Sequence, residues 1–123
     1  MPAAEQLASV VIDQVYMAHL IEAIGIVDYL DIVKTLKEEV DLQIAALESS
    51  SRGCDADGVK MAAHRLAGLL SQFGAFQVCE HAQRIRQASA IDQVSRMAAS
   101  MTVLCRSSLV AIAGLPLGKA SSR

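Results

Sequence analysis

Between Asp28 and Ser49 the apolar residues Val33, Leu36, Val40, Ile44 and Leu47 return every three or four positions, separated by Lys34, Lys37, Glu38, Glu39 and Asp41. That is the period of an α-helix with a single buried stripe, and it excludes a strand, whose side chains change face at every residue. Asp28 is the expected N-cap of this helix, and the serine-rich run SSSRG, Ser49 to Gly53, is the expected loop after it. An isolated amphipathic helix cannot bury its own stripe, so the rest of the chain has to supply partners.

Those partners have the same period. From about Ala4 to Glu22, Leu7, Val10, Val11, Met17, Ala18 and Ile21 share one face with a single polar intruder, Gln14, and Gly25 then offers a stop. After the serine run, Asp55 or Asp57 is placed to cap a helix expected to reach about Phe73. Gly74 follows where a left-handed helix end favours glycine. Ala75, Val78, Cys79, Ala82 and Ile85 mark a return helix. A last helix begins near Ile91 on Val94, Met97, Ala98, Met101, Leu104, Cys105, Leu109 and Ile112, with its stop expected at Gly114 and Pro116. No segment shows β-type alternation. The fold class is therefore all-α, and short connections favour an up-down antiparallel four-helix bundle with an additional N-terminal helix. Residues 1–115 form the expected single domain and 116–123 a flexible tail.

Composition narrows the function. The chain is 53% hydrophobic and only 3% aromatic, so its core is built from small and aliphatic side chains that let helices pack closely. A net charge of −2 gives no basic footprint for nucleic acid. The three cysteines, Cys54, Cys79 and Cys105, form no CxxC pair and lie at no zinc-ligand spacing with histidine, which fits reduced thiols buried or half-buried as small hydrophobes. No stretch approaches about 18 uninterrupted apolar residues and the N-terminus is not signal-like, so a cytoplasmic protein without a membrane segment is expected. A monomer is favoured; the apolar girth of the N-terminal helix, with Val10, Val11, Ile12, Val15, Met17 and Leu20, leaves a dimer through that helix as the alternative.

The helix around MAAHRLAGLLSQFGA holds the candidate site. Successive residues roughly 100° apart place Val59, Ala62, Ala63, Leu66, Leu69, Leu70 and Phe73 in an arc opposite His64, so the imidazole points outward. Its own face carries Asp57, Lys60, Met61, Ala67, Gly68 and Ser71. Glycine in a helix interior costs about 1 kcal/mol relative to alanine, so Gly68 answers either to close packing or to a partner that approaches closely. An outward histidine on a stiff helix can serve as a general base, a metal ligand, a nucleophile toward phosphorus or a plain surface residue. His19 and His81, at the edges of their stripes, are expected to be plain.

His64 to Ala75, HRLAGLLSQFGA, resembles the active helix of histidine-containing phosphotransfer domains, whose pattern is close to HxLKG followed by small or apolar residues and GA. His64, Leu66, Gly68, Gly74 and Ala75 match, and the preceding amphipathic helix and the return helix FQVCEHAQRIR extend the likeness over about nine tenths of the chain. The resemblance implies a phosphoryl carrier of a two-component phosphorelay: His64 accepts from the aspartyl phosphate of a response-regulator receiver domain and passes the group to another receiver. It implies no autonomous kinase activity and no cofactor on this chain, with Mg²⁺ belonging to the receiver. A hybrid sensor kinase is a further possible partner.

An unperturbed imidazole is mostly neutral and nucleophilic at pH 7, and phosphoryl transfer asks mainly for positioning and charge neutralisation, so the residue chemistry agrees with the resemblance. Gly68 would give clearance to the receiver, with Met61, Ala67, Ser71, Leu69 and Ile32 as its contact patch. One position departs from the pattern: Ala67 stands where the family commonly has lysine. Arg65 points about 100° away, and Lys60, Arg84 or Arg86 remain as sources of the missing charge. The departure also fits an alternative, a non-transferring regulatory or scaffold module that binds a receiver or kinase. An autokinase dimerisation domain lacks support, since Arg65 rather than an acid follows His64, and a metal-binding bundle lacks its ExxH pair.

Overall fold

The structure, a computed structural model, describes residues 14–121, with side-chain surroundings over 15–114. It is all-helical across those residues: α1 (Gln14–Ile24), α2 (Ile26–Arg52), α3 (Ala56–Ser71), α4 (Phe76–Gln87) and α5 (Ile91–Ser121). The part of the first helix expected before Gln14, with Leu7, Val10 and Val11, lies outside the described residues. α3 packs on α2, α4 and α5, α5 also packs on α2 and α4, and α1 leans on α2. The expected α2 stripe is buried in full, together with Tyr29 one turn earlier.

α1 and α2 are separated by one residue. Gly25 adopts φ 86° and ψ 154°, a region essentially reserved for glycine. Its N–H still closes α1 on the carbonyl of Ile21 at 2.8 Å, while its own carbonyl accepts from Tyr29 at 3.0 Å. α2 thus begins before Asp28, which is not the N-cap but lies in the first turn, where its charge meets the positive helix end. Gly25→Ala is expected to lower the unfolding free energy by about 1–3 kcal/mol through backbone strain, since among the described residues a Cβ there meets nothing within 4 Å. Chemical denaturation checks this, and a variant as stable as the parent would contradict it.

The serine run is helix rather than loop. α2 continues through Ser49, Ser50, Ser51 and Arg52, and Gly53 closes it by donating to the carbonyl of Ser49 at 3.0 Å. Serine is a mediocre helix former but not a breaker, so a long helix packed along its length carries three of them. The reversal is left to Gly53, Cys54 in the left-handed region at φ 56°, and Asp55. Asp55, the first of the two candidate caps, accepts from the N–H of Gly58 at 3.0 Å. α3 ends at Ser71, slightly short of Phe73, and Gly74 takes φ 76° in the turn to α4, as expected of it.

α5 does not stop at Gly114 and Pro116 but runs to Ser121. In a continuous helix the carbonyl of residue 112 accepts from the N–H of residue 116, which proline lacks. The buried Tyr29 hydroxyl donates to that carbonyl of Ile112 at 2.8 Å. The freed acceptor is thereby satisfied from α2, and the proline is tolerated inside the helix. Ile91–Gly114 is also long and apolar enough to cross a bilayer by length and composition, a test that a core helix passes equally. Here its stripe of Val94, Ala98, Met101, Cys105, Leu109 and Ile112 is buried on the other helices.

Candidate functional site around His64

The apolar side of α3 is seated firmly. Val59, Ala62, Ala63, Leu66 and Leu70 are buried, Leu69 is half-buried, and Phe73 is buried just past the helix end, edge-on to Tyr29 at 6.4 Å. This seating fixes the rotation of the helix about its axis, and His64 emerges on the exposed side. Its flanks are identified by contacts. A Cβ on Gly58 would collide with the Ser50 hydroxyl, so α2 lies along that side; the Cys79 thiol donates to the carbonyl of Ala67 at 3.8 Å, so α4 lies along the other. His64 therefore occupies the crest of α3 between the two neighbours.

Gly68, one turn further on, is exposed, and a Cβ built on it meets nothing within 4 Å among the described residues. Close packing against them is thus not why glycine stands there. Helical side chains lean toward the N-terminus, so any side chain at 67 or 68 would lie back over the turn that carries His64. With only a methyl group at Ala67 and nothing at Gly68, the imidazole is approachable from above. Met61, 55% exposed, supplies an apolar neighbour on the same crest. Ser71 is half-buried and its hydroxyl donates to the carbonyl of Gly68 at 3.2 Å. Ile32 is 43% exposed on α2, and among the described residues no hydrogen bond or ring contact ties it to this face.

Four cations are candidates for the supporting charge. Lys60 is half-buried, while Arg65 on α3 and Arg84 and Arg86 on α4 are exposed. Among the described residues the ion pair present is Arg106 with Asp41, at 3.4 Å between α5 and α2, so none of the four is committed to a carboxylate. No hydrogen bond joins Arg84 or Arg86 to His64 among the described residues. Nor does any group of three or more His, Cys, Asp or Glu assemble a possible metal site among them.

The remaining histidines and cysteines differ from expectation in two places. His19 is exposed, but His81 has its Nε2 3.0 Å from the carbonyl of Met97, linking α4 to α5, a contact that the helical periodicity of either segment does not signal. Cys54 is exposed in the α2–α3 turn rather than buried, because the helix before it takes up the serine run. Cys79 is half-buried and burial pushes its thiol up from the ordinary value; burial pushes Cys105 up to about 12. The thiolate is the nucleophile, so alkylation near pH 8 is expected to proceed in the order Cys54, Cys79, Cys105, with Cys105 unmodified until the protein unfolds. Mass spectrometry over a time course checks the order; early labelling of Cys105 would contradict the packing of α5.

Comparisons with protein-family models, with curated proteins and with solved structures yield no match to this chain.

Proposed function

We propose that the protein is a phosphorelay intermediate that carries a phosphoryl group on His64 between receiver-domain aspartates. The observation that carries this reading is the pairing of an exposed imidazole on a rigidly seated helix with the empty crest at Gly68, within a segment that resembles the active helix of histidine-containing phosphotransfer domains. The finer arrangement belongs to the same proposal: α2 to α5 form an up-down four-helix bundle, with the N-terminal helix leaning on it. The short turns at Gly53–Asp55 and Gln72–Ala75 support it, as do the cross-links from Tyr29 to Ile112 and from Asp41 to Arg106.

In the forward step the lone pair of Nε2 attacks phosphorus in line, the bond from phosphorus to the aspartyl oxygen breaks, and the carboxylate leaves with its electron pair. The phosphoryl group is then held as a phosphoramidate, with the imidazole proton on Nδ1. The reverse of the same step loads a second receiver. The receiver brings its own Mg²⁺; this chain brings the nucleophile on a helix seated by its buried Leu66 and Leu70. A hybrid sensor kinase would supply the first receiver, the carrier itself performs no kinase chemistry, and both partners place the relay in the cytoplasm.

Incubation with a panel of phosphorylated receivers tests the proposal. The parent chain is expected to gain acid-labile, alkali-stable label, and His64→Ala to lose it entirely with unchanged helical content. Persistent label on the variant would overturn the assignment. Ala67 favours a second reading, a module that binds a receiver or kinase without transfer. That reading predicts binding and regulation that survive His64→Ala, with no label on the parent.

A further inference from the structure

A phosphoryl group on His64 would bring two negative charges to a crest where positions 67 and 68 offer no cation. Because helical side chains lean toward the N-terminus, the imidazole lies over the turn before it, the turn that carries Lys60 and Met61. Lys60 is four residues before His64, a spacing that brings Cβ atoms to about 5–6 Å on one face. Lys60 is half-buried on α3. Arg65 is exposed and points about 100° away from His64 around α3, and Arg84 and Arg86 belong to α4, exposed on a neighbouring element. Asp57 shares the face of Lys60 but forms no ion pair with it among the described residues, and it sits in the first turn of α3, where the positive helix end holds a carboxylate favourably.

From this placement we propose that Lys60 is the charge partner of phosphorylated His64, its ammonium donating to phosphoryl oxygens from the turn below while the receiver approaches over Gly68. The proposal rests on the carrier reading of His64. A site arranged in this way needs no lysine at position 67, because the cation comes from the opposite end of the same face and leaves the approach open. The lysine acts on the product side of the transfer: it stabilises the phosphoramidate relative to the neutral imidazole, and so sets how far the phosphoryl group moves from the receiver aspartate to the carrier.

The test equilibrates the full chain with one phosphorylated receiver and reads the fraction of label on each protein, for the parent, Lys60→Gln, Lys60→Arg, Arg84→Gln and the double variant Lys60→Gln with Ala67→Lys. Lys60→Gln is expected to shift the label ratio toward the receiver by about five- to tenfold, the scale of one partly exposed charge-assisted contact. Lys60→Arg should stay near the parent, the double variant should recover most of the loss, and Arg84→Gln should change little. Thermal unfolding should be the same for all of them, which separates lost charge from lost structure. A Lys60→Gln ratio equal to the parent, a Lys60→Arg as impaired as Lys60→Gln, or a larger effect at Arg84 would each overturn the assignment of Lys60 while leaving the carrier reading standing. Absence of label on the parent chain would overturn both.

Discussion

Gly68→Ala will stabilise the protein by about 0.5–1 kcal/mol, and Gly68→Met will leave it at least as stable as the parent while lowering phosphoryl transfer by about 100-fold. Both halves of that expectation come from one observation. The glycine sits in the interior of α3, in the helical φ range, and a Cβ there touches nothing within 4 Å among the described residues. Alanine therefore restricts the unfolded chain and meets no obstacle in the folded one. A longer side chain also fits the folded protein, but it leans back over His64 and occupies the volume through which a receiver would deliver its aspartyl phosphate. A small displacement of the reacting atoms is enough for a loss of that size, because transfer of this kind depends on in-line positioning. Calorimetry and a transfer time course on the same samples test the two halves together. A destabilised Gly68→Ala would mean that packing requires the glycine after all; a Gly68→Met that transfers at the parent rate would mean that nothing docks over that turn.

Tyr29→Phe is expected to cost about 1–3 kcal/mol, because it leaves the buried carbonyl of Ile112 without a donor. The cause is the proline four residues further along α5, so the loss should depend on it. Pro116→Ala restores a backbone N–H at the position that bonds residue 112 in a regular helix, and in that background Tyr29→Phe should cost markedly less. Equal costs in the two backgrounds would contradict this account of how α5 passes through Pro116. The same tyrosine predicts a pH dependence. Burial pushes its hydroxyl from 10.0 up to about 12, so the folded state holds the proton more tightly than the unfolded state. Its contribution to stability is therefore complete below pH 10 and is lost as the pH rises through about 12. Absorbance at 295 nm should show the Tyr29 share of tyrosinate appearing only at the top of that window or on unfolding.

The sequence made the helical stripes legible where a helix is long and one-sided. Val33, Leu36, Val40, Ile44 and Leu47 are all buried because 3.6-residue periodicity is a property of the segment itself. Caps written in local chemistry were legible too, as Asp55 and Gly74 show. What escaped depends on groups distant in sequence or on torsions that several residues share. The α1–α2 junction rests on a single φ/ψ at Gly25, which masks the expected role of Asp28. The helix through Ser49–Arg52 is held by the packing of the rest of α2, and the course of α5 past Pro116 depends on the Tyr29 hydroxyl, 83 residues from the Ile112 carbonyl it meets.

At the site the outward direction of His64 followed from the apolar arc beneath it, whereas the open space at Gly68 did not. That space depends on how far α2 and α4 reach around α3, and periodicity along α3 carries no information about it. For the same reason periodicity does not show that, among the described residues, Lys60, Arg65, Arg84 and Arg86 form no ion pair, whereas Arg106 pairs with Asp41.

Of the three histidines in the chain, His64 is the one proposed to carry the chemistry. The most direct test is to locate the phosphoryl group on the unaltered protein: incubate it with a phosphorylated receiver, quench at alkaline pH, and map phosphohistidine by tandem mass spectrometry. A phosphoramidate on His64, with none on His19 or His81, is the predicted result. A phosphoramidate on either of the other two, or none on the chain with any receiver that binds it, would contradict the assignment.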